Sequence, residues 1–132
     1  MRLAVLTLLG FCVAGCSPSR IGIADISTKP DRWRGQNITV RGVVAYEFEN
    51  LGIYASYEDY CAHRNAVYVE WDEEGGITKQ DNRRMAVVTG VLDHDVGTDD
   101  EVISTGKPGP GPLNRPRVVR WLSKPLPPCP KG

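Results

Sequence analysis

Asn37-Ile38-Thr39-Val40-Arg41-Gly42-Val43-Val44-Ala45-Tyr46-Glu47-Phe48 is the stretch that decides the fold class. Ile38, Val40, Val44, Tyr46 and Phe48 alternate with Thr39, Arg41, Ala45 and Glu47, the period of a half-buried β-strand. Gly42 falls where the alternation calls for an apolar side chain. A glycine inside a strand marks a bulge or a sharp coil, and a strand this long must bend to serve two sheets of a small barrel. The segment Val87-Val88-Thr89-Gly90-Val91-Leu92 echoes Thr39-Val40-Arg41-Gly42-Val43-Val44, with an apolar residue two before the glycine and two directly after it.

Working outward, Asn50-Leu51-Gly52 reads as a turn and residues 52–56, with Ile53 and Tyr54, as the returning strand of a hairpin. Residues 56–64 lose the alternation, and Ser56 followed by Glu58 and Asp59 suits the start of a short helix. Strand character resumes over 65–71, where Val67, Val69 and Trp71 alternate with Ala66, Tyr68 and Glu70. Residues 72–82 are a polar connection with at most one helical turn at 77–80, and 84–93 is the next strand. A long Gly- and Pro-rich connection fills 94–116, broken by Val102-Ile103 as a brief edge strand. Residues 117–122 form the last strand. Upstream, Ser27 to Trp33 offers a hydroxyl cap, Pro30 in a first turn and Asp31 near the positive end of the dipole, which predicts a helical turn with Trp33 at one end of the core. The sum is an all-β chain: a small five-stranded OB-fold-like barrel with one or two short helical turns.

The chain begins in a different idiom. Arg2, an apolar run from Leu3 to Val13 and the small residues Ala14-Gly15 precede Cys16. Spanning a bilayer takes about 20 apolar residues, more than this run holds, and its layout is that of an export signal. The Ala14-Gly15-Cys16 triplet resembles the bacterial lipobox, whose cysteine thiol is acylated and becomes the new N-terminus. The expected division is a lipoprotein signal peptide at 1–15, the lipidated cysteine and a short tether at 16–22, the OB-fold-like domain at 23–123 and a proline-rich tail at 124–132. The resemblance implies multiple acylation, which holds a protein at a membrane where one chain would not. Ser17, a non-acidic residue after the cysteine, implies the outer rather than the inner membrane of a Gram-negative envelope, with the domain facing the periplasm.

The pattern Asp25-Ile26, then Pro30-Asp31-Arg32-Trp33-Arg34-Gly35 running into Asn37–Val44, Ile53-Tyr54, Glu58-Asp59-Tyr60, Ala66-Val67-Tyr68-Val69-Glu70 and Val88-Thr89-Gly90-Val91 resembles small bacterial lipoproteins and exported proteins with OB-like barrels, whose function is mostly unassigned. The resemblance covers roughly residues 23 to 93 and implies a fold, not an activity. After His94 the chain departs from it, with a longer connection richer in Gly and Pro.

Sixteen Lys and Arg balance sixteen Asp and Glu, for a formal net charge of zero. That lacks the basic excess of a nucleic-acid binder, so no nucleic-acid partner is expected. Cys61 and Cys129 remain once Cys12 and Cys16 are assigned to the leader and the anchor. An exported domain tolerates disulfides, and a bridge between these two would close a long loop and contribute about 4 kcal/mol. Two unpaired thiols are the other possibility. The acidic loop Asp93-His94-Asp95 to Asp99-Asp100-Glu101 lacks the alternating carboxylates, central glycine and distal glutamate of an EF-hand, and His63 and His94 stand in no zinc spacing. No metal site, cofactor or catalytic constellation is expected.

Tyr54, Tyr57, Tyr60 and Tyr68 gather around the second and third strands, the face OB-folds use for extended ligands, and are the ligand-face candidates, with half of them expected to be core instead. Past Glu101 every charged residue is basic: Lys107, Arg115, Arg117, Arg120, Lys124 and Lys131. This basic end either neutralises the acidic loop or meets anionic headgroups. The expected function is that of a lipid-anchored, non-enzymatic binding module for another envelope protein, acting through the second and third strands and adjoining loops. A carbohydrate-binding module for cell-wall or surface glycans is the alternative, and a small envelope hydrolase stands third.

Overall fold

The computed structural model describes residues 20–93 and 110–131. Most of them form one sheet with two short helices. The elements are β1 (Arg20–Ile21), α1 (Ile23–Thr28), β2 (Asn37–Glu47), β3 (Asn50–Tyr54), α2 (Tyr57–Ala62), β4 (Ala66–Tyr68), β5 (Met85–Leu92) and β6 (Leu113–Trp121), with 3-10 turns at Pro30–Arg32, Glu73–Gly75 and Lys79–Asp81. The sheet order is β4-β3-β2-β5-β6, all antiparallel, and β1 adds to β2 in parallel. The leader expected at 1–15, Cys16, the acidic loop from His94 onward and the edge strand expected at Val102-Ile103 lie outside the described residues.

β2 is the strand expected from the alternation, and it changes partners along its length. Asn37 to Val43 pair with β5, while Val43 to Glu47 pair with β3. Gly42 stands at that change, where a Cβ would overlap the Tyr54 carbonyl oxygen and sit 2.8 Å from Ile23 Cδ1. Gly90, the echoing glycine, is under a similar constraint, since a Cβ there would lie 2.7 Å from Leu113 Cγ and 2.9 Å from Asn114 O. Both glycines mark places where neighbouring backbone and core come too close for a side chain.

The inward face carries the main core: Ile38, Val40 and Val44 from β2, Ile53, Val67 and Val69, Ala86, Val88 and Leu92 from β5, and Leu113 from β6. α1 closes one end with Ile23 and Ile26, and Ser27 Oγ donates to Ala66 O at 3.0 Å. The helical turn expected within Ser27–Trp33 is the 3-10 turn Pro30–Arg32, with Pro30 at its start and Asp31 in its first turn, but without a side-chain cap. What the sequence did not announce is α1 before it, which begins at Ile23 and near whose end Thr28 Oγ1 donates back to Ala24 O. The reason is burial: Ile23 and Ile26, one helical turn apart, fill the open end of the sheet. Trp33 is only half-buried against the same core.

Four further boundaries move. Arg20–Ile21, expected to be tether, is a strand. The hairpin turn falls at Phe48-Glu49, with Glu49 left-handed at φ 59°, so that β3 starts at Asn50 rather than at Gly52. β4 ends at Tyr68, with Val69 making one isolated bridge to Leu113. β6 starts at Leu113 and takes in Pro116, which an edge strand tolerates.

Candidate functional site

The four tyrosines do not form one face. Alternation sends Val43, Ala45 and Tyr54 to the side of the sheet opposite the main core, and there α2 and the C-terminal tail cover them. Val43, Ala45, Tyr54, Tyr60 and Ala66 make a second buried cluster, with Tyr57, Cys61, Met85, Leu126 and Cys129 packed against it. Tyr54 and Tyr60 meet edge to face, centroids 5.4 Å apart at 88°. Tyr54 and Tyr60 are therefore withdrawn from the ligand-face candidates, and they are the half of the four expected in the core: a small domain has too little sheet to leave a tyrosine-bearing face bare. Tyr57 and Tyr68 are half-buried, and the Tyr57 hydroxyl donates to the carbonyls of Pro127 and Pro128 at 2.8 and 3.1 Å.

α2 owes its position to its ends. Ser56 caps it by accepting from Asp59 N at 3.1 Å, and His63 ends it in the left-handed region at φ 54°. Asp59 also receives Arg64 Nε at 2.7 Å, and this bond chiefly holds its carboxyl below the ordinary range. Cys61 and Cys129 form a disulfide, with Cα atoms 5.5 Å apart. Arg83 holds the tail from the other side: its Nε donates to Leu126 O at 2.8 Å, and Leu126 N donates to Arg83 O at 2.9 Å. The thiol of Cys61 is therefore committed to structure, and His63 serves as a helix terminator.

At the end of β2 a polar network ties the β2–β3 hairpin to the loop before β5. Glu47 Oε1 accepts from the Tyr60 hydroxyl and from Asn82 Nδ2 at 2.6 Å, Asn82 Oδ1 accepts from Tyr46 N at 2.8 Å, and the Tyr54 hydroxyl donates to Asn50 Oδ1 at 2.8 Å. Burial raises the Glu47 carboxyl, but the hydrogen bonds from Tyr60 and Asn82, helped by the nearby Asn50 amide and the Arg83 charge, outweigh it and leave the group below its ordinary range. Burial, followed by the bond to Glu47, pushes the Tyr60 phenol up to about 12. These bonds order the hairpin, although Asn50 Nδ2 is buried without a hydrogen-bond partner among the described residues. The network offers no exposed acid or base.

Beyond that network the hairpin tip is open. Phe48 is 93% exposed, the most exposed large apolar side chain described. Beside the hairpin, Tyr46 and residues 76–80 line an open cleft of about 500 Å³, whose loop wall is braced by the Thr78–Asp81 capping box and, through Asn82, by the hairpin itself. The alternation of β2 makes Phe48 one more inward position of the strand, which the turn at Phe48-Glu49 overrides. The signal that could have found it is the pair of polar residues that follow, Glu49-Asn50, because a hairpin that turns at Glu49 leaves its predecessor at the tip.

Among the described residues no group of three or more His, Cys, Asp and Glu side chains could hold a metal ion, and no helix is long and apolar enough to cross a membrane. Comparison of the chain with protein-family models, with curated proteins and with solved structures finds no match, so a functional reading rests on the residues themselves.

Proposed function

We propose that the chain is a lipid-anchored envelope protein whose OB-fold-like domain binds another envelope protein without catalysing a reaction, with the β2–β3 hairpin tip as the contact. The exposure of Phe48 carries this reading. A lone aromatic held outward on a braced hairpin is the kind of anchor that fills a pocket on a partner and dominates the energy of an interface. The rigid network around Glu47 lowers the ordering cost of such a contact. The OB-like reading is supported by the sheet order, by the Val69–Leu113 bridge between the two outer strands, and by Tyr68 N and Glu70 N donating to Pro110 O and Leu113 O at 2.8 and 3.3 Å. In OB-folds the loop joining the first two barrel strands, here the Phe48 turn, is a common contact loop.

A photocrosslinking amino acid in place of Phe48, in the intact cells that make the protein, is expected to give a discrete protein adduct. The same group placed at exposed Lys29 is expected to give none. No adduct at position 48, together with retention of the protein on peptidoglycan, would transfer the reading to a glycan-binding module.

A further inference from the structure

The register of the sheet collects arginines that are far apart in sequence. Directly opposite residues in paired strands point to the same face. One cross-strand row runs Arg20, Thr39, Thr89, Arg117, and the next runs Arg41, Val87, Arg120. In β6 an extra residue, Val119, is taken up between Val118 and Arg120, which restores Arg120 to the face of Arg117. All four arginines are exposed, and none forms an ion pair with a described residue. Described acids border the face: Asp72 and Glu74 line a cleft of about 430 Å³ together with Arg115 and Arg117, and Asp93 follows β5 and accepts from Asn114.

Two details set this face apart from an ordinary solvated surface. Thr39, in the middle of the first row, is 8% exposed, and its Oγ1 is buried with no hydrogen-bond partner among the described residues. Val119, the bulged residue beside Arg120, is 61% exposed and apolar. The face thus combines four cations and a buried hydroxyl, none of them with a partner among the described residues, and a protruding aliphatic group.

We propose that this face lies against the anionic headgroups of the membrane that carries the lipid anchor. The proposal rests on the reading of Cys16 as lipidated, and geometry then leaves little choice. Arg20 itself belongs to the face, and the four-residue step from Cys16 to Arg20 spans at most about 14 Å even when fully extended. An acyl chain buried at that distance holds the Arg20 edge of the sheet at the headgroup layer. Each Arg near an anionic surface adds up to about 1 kcal/mol, and the attraction decays within a Debye length. Val119, exposed beside Arg120, is placed to dip between headgroups. Phe48 stands just past the far end of β2, away from the Arg20–Thr39 pairing.

The test uses the full chain with its native lipid, reconstituted into phosphatidylcholine vesicles with and without phosphatidylglycerol, and arginine modification read residue by residue by mass spectrometry. Arg20, Arg41, Arg117 and Arg120 should be modified several-fold more slowly on the anionic vesicles, with the protection lost at high salt and exposed Arg32 and Arg64 unaffected. Equal modification of the four on both vesicles would overturn the proposal. So would protection in intact cells but not on anionic vesicles, which would assign the face to an acidic protein or glycan. The mass of the Cys16 peptide from the same digest reads the anchor separately: an unmodified thiol sinks the anchoring reading, while protection on anionic vesicles still reports the charge-driven contact.

Discussion

Gly42 shows how much one missing side chain decides. Its place in an apolar alternation made it visible in the sequence, but the reason for it lies in the Tyr54 carbonyl, Ile23 and Ile53 that crowd the site. Gly42→Ala should therefore destabilise the domain by about 3 kcal/mol, at the upper end of what overpacking costs, as read by chemical denaturation. Glu47 and Tyr60 make the second prediction at this scale. The Glu47 carboxyl is held below its ordinary value of 4.5 in the folded state, so the stability it contributes is complete above that value and is lost as pH falls through the lower folded value. Tyr60 works the other way. Its phenol rises from 10 to about 12, so its contribution is complete below pH 10 and is lost as pH rises through 12. Denaturation midpoints measured across pH should fall at both ends. Tyr60→Phe should cost about 1.5–3 kcal/mol near neutrality, the worth of a hydrogen bond to a charged group, and should flatten the alkaline limb. An unchanged alkaline limb in that variant would show that Tyr60 is not its source.

At the scale of elements, α2 and the tail are a pair that neither could be alone. A six-residue helix is too short to persist without its cap and its packing, and a proline-rich tail cannot join a sheet. The Cys61–Cys129 bond and the cradle around Leu126 join them over the buried tyrosines. Cys61→Ser with Cys129→Ser should lower stability by about 4 kcal/mol, the loop-closure figure for a long loop, and should open residues 124–131 to proteolysis while β2 and β5 stay protected from hydrogen exchange. Cleavage of the tail at the same rate with and without the disulfide would contradict this role. Ser56→Ala should cost about 1 kcal/mol through the lost N-cap. The β2–β3 hairpin was legible except at its tip. Alternation does not announce where it stops, and Phe48 looked like one more core position until the register put Glu47 opposite Asn50.

At the scale of the whole molecule the two ends of β2 carry different tasks in the proposals made above, cations at the start and an aromatic tip at the finish. Phe48→Ala should leave stability within about 0.5 kcal/mol, as expected of an exposed position, while abolishing partner crosslinking from neighbouring hairpin positions. A large loss of stability in that variant would return Phe48 to the fold. By itself the amino-acid sequence determined the all-β class, the long first strand bent at Gly42, the position of α2 behind Ser56 and the availability of Cys61 and Cys129 for each other. These follow from local period, capping chemistry and composition, which act over a few residues. Tertiary structure alone decided that Tyr54 and Tyr60 are core, that Ile23 and Ile26 make α1 the plug, and that Arg20, Arg41, Arg117 and Arg120 share a face. Each of these depends on which strands pair and in what register, and a register is set by burial summed over the whole sheet, a quantity that no single stretch of the chain contains.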